Sequence, residues 1–251
     1  MMNKKNFKFY AGAAFLTLLL ISPGTAAYSQ KTENQVPEPK VIQPGNKGKA
    51  PSDAIILFDK GNLDNFVSIK DGGPTGWTVR GRKFTVNPKA TSIQTKEKFG
   101  DCQLHVEWNT PVKDVKAGKE GQGCGNSGVY LMGKYEVQVL NSYINKTYPK
   151  GQAGAIYEQY APLVNASLKP GKWQIYDIIF TAPRFNGDGS QKTPGYFTVL
   201  HNGVLIQNHV EIKGATRASN GKSPITEAEL PLMLQCHWNE VSYRNVWIRR
   251  L

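Results

Sequence analysis

The sequence predicts an all-β protein of sandwich or jelly-roll type. Three observations carry that prediction. Apolar and polar residues alternate over short runs, Gly, Asn and Pro punctuate those runs, and no long stretch has a helical period.

The elements follow in chain order. Residues 55–58 are a short apolar strand, and 77–79 with 83–86 make a hairpin around Gly81. Residues 103–108 alternate strictly. Leu104, Val106 and Trp108 share one face, and Gln103, His105 and Glu107 share the other. Residues 125–140 read as two strands joined at Gly133-Lys134. Tyr135, Val137 and Val139 form a face suited to burial, while Glu136 and Gln138 form a polar one. Residues 173–180 are a further strand, and 196–201 and 204–207 flank Asn202-Gly203, a strong hairpin signal. Two strands, 232–237 and 241–248, close the chain around Trp238-Asn239-Glu240. In the first of them Gln235 and His237 oppose Leu232, Leu234 and Cys236. Two long connections, 111–125 and 141–172, have the length at which loops in compact domains carry function. The second contains apolar groups and is expected to pack over one end of the sheet.

Outside these elements the chain changes character. Lys4, Lys5 and Lys8 precede an apolar run over 11–21, then Pro23-Gly24 and Thr25-Ala26-Ala27. This is the order of a secretory signal peptide over residues 1–27, so a periplasmic or secreted protein is expected. The apolar run is too short for a comfortable membrane span, and no stable span is expected once the signal is removed. Residues 28–52 carry four prolines among polar residues and read as a flexible linker. Residues 53–251 suffice for one domain. The formal charge is +12, but Lys and Arg are scattered rather than clustered, which with export argues against a nucleic-acid partner. The 3 cysteines leave at least one thiol unpaired. Cys102 and Cys236 read as small buried hydrophobes, and a Cys124–Cys236 bridge stays open as an alternative.

The ordered set of short motifs is more specific than any one of them. Leu57-Phe58-Asp59 with Leu63-Asp64, then 126–130 with 135–138, then Gly154-Ala155-Ile156-Tyr157, Asn165-Ala166, 170–173 and His201-Asn202-Gly203 occur in sequence. Leu234-Gln235-Cys236-His237 and 243–248 complete it. In this order the chain resembles the 3-keto-disaccharide hydrolase domain family across residues 53–251. It departs at Phe66, Met132 and Cys236, where the family usually has Trp, Arg, and Asp or Asn. The resemblance implies a concanavalin A-like jelly roll of two antiparallel sheets. It also implies a glycoside or oligosaccharide substrate, in particular one oxidised at C3 of the sugar.

The residues fit that chemistry better than ordinary hydrolysis. A retaining glycosidase needs two carboxylates about 5–5.5 Å apart, and the strand partner of Glu136 is Gln138, an amide. Glu227 and Glu229 lie in a polar loop-like stretch, so their expected role is solvated. A 3-keto sugar has an acidified hydrogen on C2, and its removal lets the enolate expel the C1 substituent. That needs a base, an acid for the leaving oxygen and a stabiliser for the enolate. Glu136, His237 and Glu107 are the candidate acid–base groups. Asn126, Tyr130, Gln138, Gln235 and Arg244 are the candidate substrate binders, since amides both donate to and accept from hydroxyls and a guanidinium suits an oxyanion. His237 with Glu136 or Glu107 also has the donor types for a divalent cation, although no spacing specifies one. No other cofactor is called for. The alternative is a non-catalytic carbohydrate-binding module of the same fold, which exposed aromatic platforms would favour.

Overall fold

The computed structural model describes residues 37–46, 49–216 and 227–251. The expected signal peptide and residues 28–36 and 47–48 of the expected linker lie outside them. The chain divides into a unit up to Val41, whose described residues 37–41 carry no helix or strand, and a unit from Ile42 to Leu251. Among the described residues no helix is long and apolar enough to cross a membrane.

The regular secondary structure of the second unit is nearly all strand. In order it contains β1 (Ile55–Phe58), β2 (Phe66–Ser68), β3 (Thr78–Arg80), β4 (Lys83–Thr85), β5 (Ile93–Phe99) and β6 (Cys102–Asn109). A five-residue helix α1 (Val112–Lys116) follows, then β7 (Ser127–Leu131), β8 (Tyr135–Val139), β9 (Gln174–Thr181), β10 (Arg184–Phe185) and β11 (Gln191–Thr193). The last strands are β12 (Tyr196–His201), β13 (Val204–Glu211), β14 (Leu230–Leu234) and β15 (Ser242–Arg250). One sheet runs β13-β12-β9-β6-β15-β4-β3, with β1 paired to β15, and the other runs β2-β5-β14-β7-β8. β10 and β11 form a separate two-stranded ribbon. All pairings are antiparallel, as in a jelly-roll sandwich.

Alternation decides what each sheet buries. Leu104, Val106 and Trp108 from β6 pack in one core with Val129 and Leu131 from β7, Val137 and Val139 from β8, and Leu234 from β14. Two hydrogen bonds tie the sheets across this core: Ser127 Oγ lies 2.6 Å from Tyr243 Oη, and Tyr176 Oη donates to the Gln138 carbonyl at 2.8 Å. β2, β5 and the ribbon carry no sequence signal. β5 reads Ile-Gln-Thr-Lys-Glu-Lys-Phe and is placed by its pairing with β14 and β2, not by an apolar pattern.

The thiols are free. Cys124 Sγ accepts from Asn141 Nδ2 at 3.2 Å, and Cys236 Sγ faces the Asn87 carbonyl at 3.5 Å, so the Cys124–Cys236 bridge does not form. Glu227 and Glu229 pair with Lys98 and Arg250 at the surface, as a solvated role requires. Trp247 is buried, but on the outer face of its sheet against His105 rather than in the core.

Candidate active site

The β7–β8 hairpin turns through Met132 and Gly133, both in the left-handed region with φ of 53° and 60°. The turn fixes a register in which Tyr130 lies opposite Glu136 and Gly128 opposite Gln138. β14 then sets Met233 against Tyr130, and its continuation brings the Gln235 amide onto the Gly128 carbonyl at 2.9 Å. Tyr130, Glu136, Gln138 and Gln235 therefore meet on the outer face of the five-stranded sheet.

Their hydrogen bonds form two clusters, one around Tyr130 and one around Gln122. Tyr130 Oη donates to Glu136 Oε2 at 2.7 Å and accepts from Gln235 Nε2 at 3.0 Å. Gly128 leaves the space the carboxyl occupies: a Cβ there would stand 2.6 Å from Glu136 Oε1. Gln138 Nε2 donates to Gln122 Oε1 at 3.0 Å, and Asn126 Nδ2 donates to the same oxygen at 3.1 Å and to the Gln122 carbonyl at 2.8 Å. Asn126 is thus a strut of this network.

The polar face does not simply meet water. Glu136 is 2 % exposed and Gln138 1 %. Burial pushes the Glu136 carboxyl up to about 8, against the opposing Tyr130 hydrogen bond and with a small push from Glu158. The carboxyl therefore holds its proton at neutral pH. Gln138 Oε1 and Gln235 Oε1 are buried acceptors without a partner. Native interiors rarely leave such groups unpaired, and when they do a ligand is one reason.

His237 lies two residues beyond Gln235, half-buried, with its ring edge-on to Trp238 at 5.0 Å. Burial lowers its pKa, so it is neutral at pH 7. Asn239 anchors the connection that carries it. The Asn239 side chain accepts from the Asn126 backbone N–H at 3.1 Å and donates to Asp114 Oδ2 at 2.7 Å and to the Gly123 carbonyl at 3.0 Å.

Glu107 and Arg244 are brought to a different place. Glu107 projects from the outer face of the larger sheet, because its neighbours Val106 and Trp108 fill the core. Arg244 Nε donates to Glu107 Oε2 at 2.6 Å, and Asn245 Nδ2 donates to Oε1 at 2.8 Å. His105 Nδ1 lies 2.6 Å from Asp177 Oδ1. Burial alone would lower the His105 pKa, but hydrogen bonds to Asp177 and Glu107 outweigh it and raise it to about 9. Burial likewise pushes Glu107 up, while hydrogen bonds from His105, Asn245 and Arg244 outweigh that and bring it down to about 2. The core separates this ion cluster from Glu136, so two of the eight expected site residues, Glu107 and Arg244, lie here, five lie about the five-stranded sheet's outer face, and His237 stands two residues beyond Gln235 on the chain.

Gln122 is the group that sequence reasoning missed. It sits in the 3₁₀ turn Gly121–Gly123, and its side chain also donates to Thr147 Oγ1 and the Gly151 carbonyl. The long 111–125 connection announced a functional loop, but no local pattern could tell which residue reaches Gln138. Among the described residues no three His, Cys, Asp or Glu side chains converge to hold a metal ion.

The model of the 3-keto-alpha-glucoside-1,2-lyase-like domain matches residues 53–249. The chain belongs to this family. Among solved structures it is similar to a "putative glycosyl hydrolase" from Parabacteroides distasonis, at 47% identity over 88% of this chain and 95% of that one, with a TM-score of 0.80. Two further structures of that description from the same organism are 20% identical over 79% of this chain, covering 94% and 99% of their own, with TM-scores of 0.56 and 0.54. These two share the fold. No curated protein matches the chain.

Proposed function

We propose that this protein is an exported carbohydrate-active enzyme that cleaves 3-keto-glycosides by C2 proton abstraction and elimination. The observation that carries the reading is the buried, protonated Glu136 carboxyl among unpartnered amide oxygens, with a neutral His237 on the adjoining segment. Family membership supports the carbohydrate class and a lyase-type step. A site whose carboxyl is pushed up and whose imidazole is pushed down holds an acid and a base together at one pH.

The roles follow from those protonation states. His237 takes the C2 proton, and the electron pair left behind moves into the enolate of the 3-ketone. The enolate expels the C1 oxygen, and Glu136 gives that oxygen its proton as the C1–O bond breaks. Water then adds across the C1–C2 double bond, with C1 receiving the hydroxyl and C2 the proton. Gln138 Oε1 and Gln235 Oε1 accept from sugar hydroxyls, and Tyr130 positions the carboxyl. Glu107 and Arg244, on the other side of the core, stand outside this chemistry.

The experiment is aglycone release from a 3-keto-glucoside, run with and without chelator and beside the unoxidised glucoside. Wild type is expected to turn over the oxidised compound and to leave the plain one almost untouched. Glu136→Gln and His237→Gln should each lower kcat by about 10²–10⁴, the usual contribution of a general acid or base. Full activity in both variants would overturn the assignment.

A further inference from the structure

Trp238 departs from what the fold alone requires in two independent ways. Its side chain is 70% exposed, whereas Trp77, Trp108 and Trp247 are buried. Its backbone has φ of 59°, a region that bulky side chains rarely enter. An indole in water adds nothing to the core, and a left-handed Trp strains the chain, so neither feature serves stability.

The surroundings nevertheless hold it in place. The next residue, Asn239, is buried and spends its side-chain groups on Asn126, Asp114 and Gly123. Asp114 is itself buried, accepts from the Gly125 amide at 3.1 Å and pairs with Lys119 at 2.9 Å. The loop that fixes Trp238 thus also carries Gln122 and Asn126, the struts behind Gln138. Exposure rises steadily from buried Leu234 through half-buried Gln235 and His237 to exposed Trp238. The His237 ring packs edge-on against the indole at 5.0 Å, which ties the exposed ring to the site segment.

We propose that Trp238 is a sugar-stacking platform that binds a second pyranose ring, next to the one held at Glu136 and His237. The proposal rests on the functional reading above and adds the residue that holds the second ring. The apolar C–H face of a pyranose fits an exposed indole, which gives up its contact with water on binding. Three residues of chain from Gln235 reach at most about 10 Å, enough to place the platform beside the reacting ring rather than on it.

The test uses Trp238→Asn and Trp238→Phe in the full-length protein. Asn tolerates the left-handed conformation, so the ring is removed without added backbone strain, and Phe keeps a smaller stacking face. Turnover is measured on a 3-keto-disaccharide and on methyl 3-keto-glucoside. Binding is measured by isothermal titration calorimetry, with plain and oxidised disaccharides, in wild type and in Glu136→Gln with and without Trp238→Asn.

Trp238→Asn is expected to raise KM for the disaccharide tenfold or more with kcat within threefold. KM for the methyl glycoside should change less than threefold, and Trp238→Phe should fall between. A disaccharide KM within twofold of wild type in Trp238→Asn overturns the platform while leaving the elimination chemistry intact. If wild type turns over no 3-keto-glycoside, the proposed reaction fails, and the binding arm still decides: disaccharide binding heat that Trp238→Asn abolishes supports the platform. Absence of saccharide binding in wild type overturns it.

Discussion

At the residue scale, Gly128 isolates the proposed acid from the rest of the fold. A methyl group there meets Glu136 Oε1 and the Tyr130 ring, each at 2.6 Å, so Gly128→Ala must push the carboxyl from its seat. Overpacking of this kind costs about 1–3 kcal/mol. Gly128→Ala is expected to fold with a lowered Tm and to lose at least about 10² in kcat on a 3-keto-glucoside, the low end of a general acid's contribution. Glu136 also leaves a mark on stability. Its folded carboxyl holds a proton up to about 8, whereas an unfolded carboxyl releases it near 4.5. Between those values the folded state binds more protons, so stability falls as pH rises through that window. Glu136→Gln removes the charge that must be neutralised. Its thermal midpoint should equal or exceed wild type at pH 8 while its activity collapses; a midpoint well below wild type there would contradict the buried, protonated carboxyl.

At the element scale, the connection between β14 and β15 depends on α1. Asp114 projects from that five-residue helix to hold both the Gly125 amide and Asn239. Hydrogen bonds to a charged group contribute about 1.5–3 kcal/mol each, and Asp114→Ala leaves two buried donors unpaired. The expected loss is about 3 kcal/mol of unfolding free energy by denaturant titration. The same variant should raise KM, because the segments carrying Gln122, His237 and Trp238 share this anchor. Most strands of this framework were legible in the sequence, β6 and β8 from alternation, β1 from a short apolar run and β12 from the hairpin signal beside it. β5 was not, because Lys96, Glu97 and Lys98 break the pattern, and its neighbours across the sheet decide its state.

At the scale of the whole molecule, the two polar faces differ in how their polar groups are satisfied. The Asp177–His105–Glu107–Arg244 cluster on the larger sheet is fully paired and acts on stability. The His105 pKa rises from 6.5 to about 9 on folding, so its contribution is whole below 6.5 and disappears as pH climbs through about 9. Glu107 is brought from 4.5 to about 2, so its contribution is present above 4.5 and lost as pH falls through about 2. Thermal midpoints across pH 6 to 10 should fall on the alkaline side in wild type and flatten there in His105→Gln. Turnover by His105→Gln at pH 7 should stay near wild type, since the core lies between this cluster and Glu136.

The sequence by itself determined the all-β class, the family and the two faces of each patterned strand, because these depend on side-chain alternation and local turn chemistry. It also marked Glu136 and Gln138 as polar residues on a strand with an apolar side, and it put Gln235 and His237 on a strand that in the structure ends at Leu234. It could not say that Glu107 and Arg244 belong to another face of the sandwich, or that Gln122 reaches Gln138. Nor could it say that the polar face around Glu136 is buried. Those facts depend on which strands become neighbours and which loops cover them, over separations of up to 137 residues in the case of Arg244 and Glu107. Only the tertiary structure places a carboxyl where water cannot keep it ionised, and that is what turns an exposed-looking strand glutamate into an acid at neutral pH.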